Sequence, residues 1–269
     1  MRGLSRASLA EVEERFNTVA GSADLGTLAD ELIAVAGLLD REHGLRRNLS
    51  DQARPAAQKA EVVRSLLSGK VSMATLEAVV AAAEAKWSRP GDLADALERL
   101  SVIAASAEAE GQGRLDDVED ELFRFGRILA ANPELRRTVN DATVPGDRKR
   151  ELLGSLLADK VAPTSLRLVT QLAAYPRGRS LESGLDEYGW IVAQQRERLV
   201  GVVRSAVPLD ATQRQRLAAW LRTTYGRDVH LNVEVDPKVL GGFSIRIGDD
   251  LIDNTIAGRI EEVRRRLAG

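Results

Sequence analysis

The chain contains no cysteine, and this absence excludes disulfide bonds, zinc sites built on thiolates and a cysteine nucleophile. Histidine occurs only at His43 and His230, and neither has a second imidazole at metal-ligand spacing. No apolar run approaches the roughly 20 residues that cross a bilayer, and residues 1–11 lack the apolar stretch of a signal peptide. We therefore predict no metal site, no cofactor and no membrane-spanning segment.

Aromatic residues are also scarce, at 4% of the 269 residues, whereas Ala, Leu, Glu and Arg are abundant. These four are strong helix formers, so the composition predicts a mainly helical protein. Hydrophobic residues make up 44% and charged residues 29%, as in ordinary globular proteins. A formal net charge of −2 argues against a dedicated nucleic-acid surface.

An internal duplication organises the first two thirds of the chain. Residues 28–80 align without a gap to residues 118–170, and 18 of the 53 positions are identical. The identities occur in clusters, such as Asp30-Glu31-Leu32 with Asp120-Glu121-Leu122, and Ser65-Leu66-Leu67 with Ser155-Leu156-Leu157. The sequence therefore predicts two copies of one helical fold.

Apolar residues in both copies recur at steps of three and four, the spacing of one helix face. The two matching stripes are Leu25, Leu28, Leu32, Val35 and Leu39, and Leu115, Val118, Leu122, Phe125 and Leu129. Further helices are predicted at 5–20, at about 91–110 and at 181–199. The stripe of the last one contains Gln195, which we expect at its edge.

The predicted fold is mainly α, a duplicated helical bundle followed by a small α+β unit. The first, extra copy spans residues 1–110, and the second spans 93–201. The two copies share helix 93–110, which is the last helix of the first copy and occupies the position of the first helix of the second. Residues 202–269 form the C-terminal unit.

The C-terminal third changes to a β-α-β-β-α order. Val202–Val207 favours a strand, and Asp210 is placed to cap a helix that ends at Gly226. Residues 229–235 and 243–247 alternate apolar and polar side chains, as half-buried strands do, and a last helix is predicted at 255–267. Gly241-Gly242 lacks the further glycine and lysine of a phosphate loop, so we assign these glycines to backbone geometry.

This C-terminal sequence resembles the delta subunit family of the F-type ATP synthase, which includes the mitochondrial oligomycin-sensitivity-conferring protein. The likeness covers roughly residues 93–269. Asn254 and Phe243 depart from the usual family residues, and the first helical copy is extra, as in actinobacterial delta subunits. The residues that carry the family motif, to which we give structural roles, are Asp236, Pro237, Gly241, Gly242, Gly248, Asp249, Asp253 and Thr255.

The resemblance implies a non-catalytic peripheral-stalk connector at the cytoplasmic face of the cell membrane. In the family, the helical domain binds N-terminal helices of the alpha subunits, and the C-terminal unit holds the C-terminal region of the b subunit. Rotation is thereby coupled to ATP synthesis and proton transport. The family's groove lies between the first and fifth helices of the second copy, where the corresponding residues are Leu100, Ile103, Ala104, Ala107, Leu166, Val169, Leu172 and Ala173.

The sequence is less consistent with two other classes of function. An enzyme is disfavoured because no nucleophile–base arrangement stands out and the carboxylates lie mostly on polar helix faces. A helical scaffold with weak nucleic-acid binding is the alternative, since Arg259 and Arg264–Arg266 lie on the last predicted helix. We assign those arginines instead to the helix dipole and to solvation.

Overall fold

The computed structural model of the chain describes residues 3–197, 199–225, 229–236, 239, 241–247 and 250–253. It divides into a helical unit, residues 1–195, and a C-terminal unit, residues 196–269. The predicted fold class, mainly α with a small α+β unit, is confirmed. Within the described part of the chain, no helix is long and apolar enough to span a membrane.

The helical unit contains eleven helices in its described residues. In chain order they are α1 (Leu4–Ala20), α2 (Leu25–Arg41), α3 (His43–Ser50), α4 (Ala56–Leu67), α5 (Met73–Glu84), α6 (Pro90–Gly111), α7 (Leu115–Ala131), α8 (Pro133–Asn140), α9 (Gly146–Leu157), α10 (Pro163–Ala174) and α11 (Leu181–Glu197).

The stripes that the sequence predicts face the core. In α2, Leu28, Leu32, Val35 and Leu39 are buried, and all five residues of the α7 stripe are buried as well. A short helix cannot be stable in water without covering one apolar face, so this burial is what holds each helix in place.

Residues that are identical in the two copies anchor the fifth helix of each copy. Glu31 accepts hydrogen bonds from the Ser72 backbone N–H, the Ser72 hydroxyl and the Thr75 hydroxyl at 2.6–3.0 Å. Its counterpart Glu121 accepts one from the Ala162 backbone N–H at 2.8 Å. A carboxylate at a helix N-terminus satisfies free N–H groups and complements the helix dipole.

The other end of α5 meets a buried lysine. The Lys59 ammonium donates to the Ala85 carbonyl at 3.0 Å, just past the last turn of α5. Its counterpart Lys149 is buried at the same position of the second copy. The paired carboxylate and lysine therefore fix the fifth helix lengthwise against its neighbours.

Helix α6 is continuous from Pro90 to Gly111 and contacts helices of both copies: α1, α2, α3 and α5 of the first, and α7 and α10 of the second. At its start, the Asp92 carboxylate accepts from the Arg89 backbone N–H and from the Ser5 hydroxyl of α1. Sharing of this helix by two bundles stays a prediction, and the position of α6 supports it.

Two details of the prediction for α11 are wrong. The helix ends at Glu197, and Leu199 begins a strand, because the run Leu199–Val203 contains three valines, whose branched side chains favour extended backbone. Gln195 is buried rather than at an edge. Its amide nitrogen donates to the Glu110 carboxylate of α6 at 3.0 Å, which accommodates a polar group there.

The C-terminal unit comprises β1 (Leu199–Ser205), α12 (Ala211–Tyr225), β2 (Val229–Val235), β3 (Phe243–Ile247) and β4 (Asp250–Asp253). The strand order is β2-β1-β3-β4, with β1 and β2 parallel and the other pairs antiparallel. The predicted β-α-β-β order is present, and β4 adds a fourth strand. The predicted helix at 255–267 lies outside the described residues.

Helix α12 begins as the sequence predicts. Asp210 accepts from the Gln213 backbone N–H at 2.7 Å, and the Gln213 side chain accepts from the Asp210 backbone N–H at 2.9 Å. This reciprocal pair is a capping box. The helix then packs Leu221 against Val203 and Ile245 of the sheet in a core separate from that of the helical unit.

Replacing Glu31 with Gln tests the carboxylate anchor of α5. Burial raises the pKa of Glu31, but hydrogen bonds from Thr75 and Ser72 outweigh it and hold the pKa below the ordinary 4.5. The carboxylate therefore stabilises the fold above the unfolded-state pKa, and this contribution is lost as pH falls through the lower folded-state value. We expect Glu31→Gln to lower the free energy of unfolding by about 1 kcal/mol at neutral pH.

Urea unfolding of wild type and Glu31→Gln measures this difference, which should shrink between neutral pH and about pH 3. The control is Glu121→Gln, which removes a carboxylate with a single backbone hydrogen bond and should cost less. A difference that stays constant with pH would contradict the anchor.

Candidate functional site

The eight residues predicted to bind a partner lie on α6 and α10, and six of them are buried in the core of the helical unit. The six buried ones are Leu100, Ile103, Ala104, Val169, Leu172 and Ala173. Only Ala107 and Leu166 are partly exposed. A partner cannot touch the buried six without rearrangement of the helices, and their role in binding stays a prediction.

The groove between α6 and α10 contains α2 of the first copy. At one end, the Arg167 guanidinium of α10 pairs with Asp30 of α2 at 3.3 Å and with Glu108 of α6 at 2.7 Å. A methyl group placed on Gly26 would lie 2.8 Å from the Glu108 carboxylate. A larger residue at this position would force the Glu108 side chain to move, so glycine lets the first turn of α2 lie close to this ion pair.

In the middle of the groove, the Ser101 hydroxyl of α6 donates to the Ala29 carbonyl of α2 at 2.8 Å. Both residues are fully buried. A side-chain hydroxyl reaches the backbone of another helix only where small residues let the two helices come close. The backbones of α2 and α6 are therefore near neighbours here.

At the other end, Gly37 of α2 faces Tyr175, which follows α10. A methyl group on Gly37 would lie 3.1 Å from the Tyr175 ring. Farther on, the Asp40 carboxylate pairs with Arg177 at 3.2 Å. These contacts show that α2 runs antiparallel to α6 and parallel to α10 along the length of the groove.

Seating in this groove gives α2 a second buried face that its counterpart α7 lacks. The buried residues of this face are Gly26, Ala29, Ile33, Ala36 and Gly37. The matching residues of α7 are exposed or half-buried: Asp116, Glu119, Phe123, Gly126 and Arg127. Helix α2 was not predicted from the sequence to be part of the site. The small residues on the second face of α2 could have indicated that this face packs closely against another helix.

A buried ion cluster closes the same end of the groove. Arg177 has 9% of its side chain exposed and pairs with Asp95 at 2.7 Å and with Glu98 at 3.5 Å, besides Asp40. Arg179 pairs with Glu98 and with Glu187 of α11. The cluster thus connects α2, α6, the α10–α11 loop and α11.

Burial is the largest influence on the Glu98 carboxylate of this cluster. It raises the pKa of Glu98, against the opposing effects of Arg179, the Tyr188 hydrogen bond and Arg177. Burial and the neighbouring Glu98 carboxylate raise the pKa of Tyr188 well above its ordinary value, so its hydroxyl remains a donor to Glu98 at 2.7 Å. The arrangement connects helices, and no group of three metal-ligating residues occurs among the described positions.

Of the motif residues in the C-terminal unit, three occupy the β2–β3 connection. Asp236 donates its backbone N–H to the Ser205 carbonyl at 2.9 Å, and Gly241 and Gly242 have φ of 64° and 79°. Such positive φ angles strongly favour glycine. Asp253 ends β4. The other four, Pro237, Gly248, Asp249 and Thr255, lie outside the described residues.

An apolar groove of 590 Å³ lies between one side of α12 and the sheet. Trp220 is 48% exposed at this groove, unusual for so large an apolar side chain. One guanidinium, that of Arg216, stands at its side. The lining residues are Leu209, Gln213, Arg216, Leu217, Trp220, Phe243 and Ile252. Its shape and chemistry fit the apolar face of a helix that also carries an acidic residue.

Known proteins resemble the chain over its full length. The model of the family "ATP synthase delta (OSCP) subunit" matches residues 102–267. The protein named ATP synthase subunit delta of Thermobifida fusca (strain YX) is 51% identical to this chain over 100% of both chains. The protein of the same name from Streptomyces coelicolor is 49% identical to this chain, over 100% of this chain and 98% of the relative. One chain of a Toxoplasma gondii mitochondrial ATP synthase structure matches 62% of this chain and 95% of its own length, with 19% sequence identity. Its TM-score of 0.27 is too low to support a structural argument.

Enlarging Gly37 tests the seating of α2. Because a side chain here meets the Tyr175 ring, we expect Gly37→Leu to lower the free energy of unfolding by about 1–3 kcal/mol, despite the better helix propensity of leucine. The matched control is Gly126→Leu on α7, where a side chain meets open space and should stabilise the helix slightly. Thermal and urea unfolding measure both, and equal effects at the two positions would contradict this seating.

Removing the Arg177 cation tests the ion cluster. Arg177→Met leaves the Glu98 carboxylate, 4% exposed, without one of its cations, and we expect a loss of about 3–5 kcal/mol in urea unfolding. As a control, Arg148→Met breaks the exposed pair with Glu151 and should change stability by less than about 1 kcal/mol. A comparable, small loss for both variants would show that the cluster contributes little.

Proposed function

Because the chain belongs to the ATP synthase delta (OSCP) subunit family, we propose that its two units hold two different partners. The chain is a non-catalytic subunit of the peripheral stalk of ATP synthase, where it contacts the catalytic head and stalk subunits. In the proposal, the helical unit binds N-terminal helices of the alpha subunits. The C-terminal unit binds the C-terminal region of the b subunit.

The observation that carries this proposal is the division of the chain into two units with separate hydrophobic cores. Two separately packed units offer two surfaces of different chemistry, as a connector between head and stalk requires. A connector of this kind holds the head still, so that rotor torque drives ATP synthesis. We place the chain at the cytoplasmic face of the membrane, attached through its partners.

The groove between α12 and the sheet supports binding of a b-subunit helix. Helix-in-groove recognition needs an apolar trough and a large anchor residue, and Trp220 with Leu217 and Phe243 supplies both. Arg216 adds a cation that can pair with an acidic residue of the partner helix.

The alternative of a nucleic-acid-binding scaffold is not favoured by the family match. The arginines that motivated it, Arg259 and Arg264–Arg266, lie outside the described residues. Salt-sensitive binding of random DNA by the full chain at physiological ionic strength would support this alternative.

Binding of the full chain to purified alpha and b subunits tests the proposal. We expect Trp220→Asp to weaken b binding at least about tenfold, because a buried interface tryptophan contributes strongly to affinity, and to leave alpha binding unchanged. Val207→Asp, at a valine 65% exposed in the same unit, serves as the matched control and should bind b as wild type does.

Circular dichroism of both variants confirms that they fold, and titration calorimetry or pull-down measures binding. Equal b affinity for Trp220→Asp and wild type would reject this groove as the b site. Failure of the wild-type chain to bind either subunit would reject the proposed function.

A further inference from the structure

We infer that α2 is a built-in occupant of the groove between α6 and α10, and that it stays in place when the chain binds an alpha subunit. The extra helical copy would then supply, from within the chain, the helix that fills this groove. A partner helix would bind the helical unit elsewhere. The inference rests on the proposed function, since it concerns the alpha-subunit helix assigned there.

Two polar side chains of the groove already have partners within the chain. Arg167, the one guanidinium of α10, lies between Asp30 and Glu108, and the Ser101 hydroxyl donates to the Ala29 carbonyl. A foreign helix in place of α2 would have to replace the Asp30–Arg167 ion pair and the Ser101–Ala29 hydrogen bond, since the Arg167–Glu108 pair joins α10 to α6 without α2. Otherwise the fully buried Ser101 hydroxyl would lose its hydrogen bond, which is costly.

The fit of α2 depends on small residues on both sides. A methyl group on Gly26 or Gly37 of α2 would lie 2.8 Å from the Glu108 carboxylate or 3.1 Å from the Tyr175 ring, so a larger side chain at either position would force its neighbour to move. Close packing of this kind is lost as a whole when one helix leaves, because the dispersion contacts of the interface are lost with it.

The connections of α2 also keep it in the groove. Only residues 21–24 separate it from α1, and only Glu42 separates it from α3. Helix α1 is itself attached to neighbouring helices through the pairs Ser5–Asp92 and Arg15–Glu84. Withdrawal of α2 would therefore require unpacking of the first copy, not the movement of a single lid.

Hydrogen–deuterium exchange of the wild-type chain, free and saturated with purified alpha subunit, tests the inference directly. We expect the amides of residues 25–41 to be as protected in the complex as in the free chain. A tenfold or greater rise in their exchange on binding would overturn the inference and leave the proposed function intact. Absence of any complex would overturn both.

A reversible cross-link provides a second measurement. The chain has no native cysteine, so Ala29→Cys with Ser101→Cys introduces the only two thiols, at a point where the Ser101 hydroxyl lies 2.8 Å from the Ala29 carbonyl. We expect the oxidised and reduced forms to bind alpha subunit within about twofold of each other, each single-cysteine variant serving as control. Binding that oxidation abolishes and reduction restores would show that α2 must leave the groove.

Discussion

The close packing of α2 against α6 is the contact on which the helical unit depends. Helix α6 is covered on nearly its whole circumference, and side chains as small as Ala94, Ser101 and Ala105 make that coverage feasible. Where two helices approach closely, small residues let backbones and hydroxyls meet, and larger ones would force them apart. Because α6 also contacts α10, the same approach brings the first copy onto the second.

Ion pairs define the position of α2 along α6. Small residues alone would let α2 slide along α6, since a smooth surface defines position poorly. Ion pairs at both ends of the groove, Arg167 with Asp30 and Arg177 with Asp40, remove that freedom. The Arg177–Asp40 pair is mostly buried, and a buried ion pair adds little net stability but penalises alternative arrangements that would leave a charge unpaired.

The architecture suits a part that transmits load. Helix α6 passes from one copy to the other without a break, and the ion cluster around Glu98 connects α2, α6 and α11 across that passage. The C-terminal unit has its own core and an apolar groove at Trp220 of different character. Two partners with different surfaces can therefore be held without competing for one site.

The sequence by itself determined the features that depend on local order. Repeated apolar steps predicted α2 and α7, Asp210 predicted the start of α12, and alternation predicted β2 and β3, because 3.6-residue and two-residue periods each specify one buried face. The duplication and the family motif followed from residue identity alone. The strand β1 was predicted from Val202, and its start at Leu199 was missed because Leu199 also fits the preceding helical spacing.

Only the tertiary structure decided what covers each helix. Periodicity states that a face is buried but not against which neighbour. The family resemblance placed Leu100 and Leu172 at a partner groove, and the structure shows both buried in the chain's own core. The pairing of Asp40 with Arg177 joins residues from different copies, and no local pattern encodes that meeting. The position of α2 in the groove arises from long-range packing, which depends on the combined shapes of many helices.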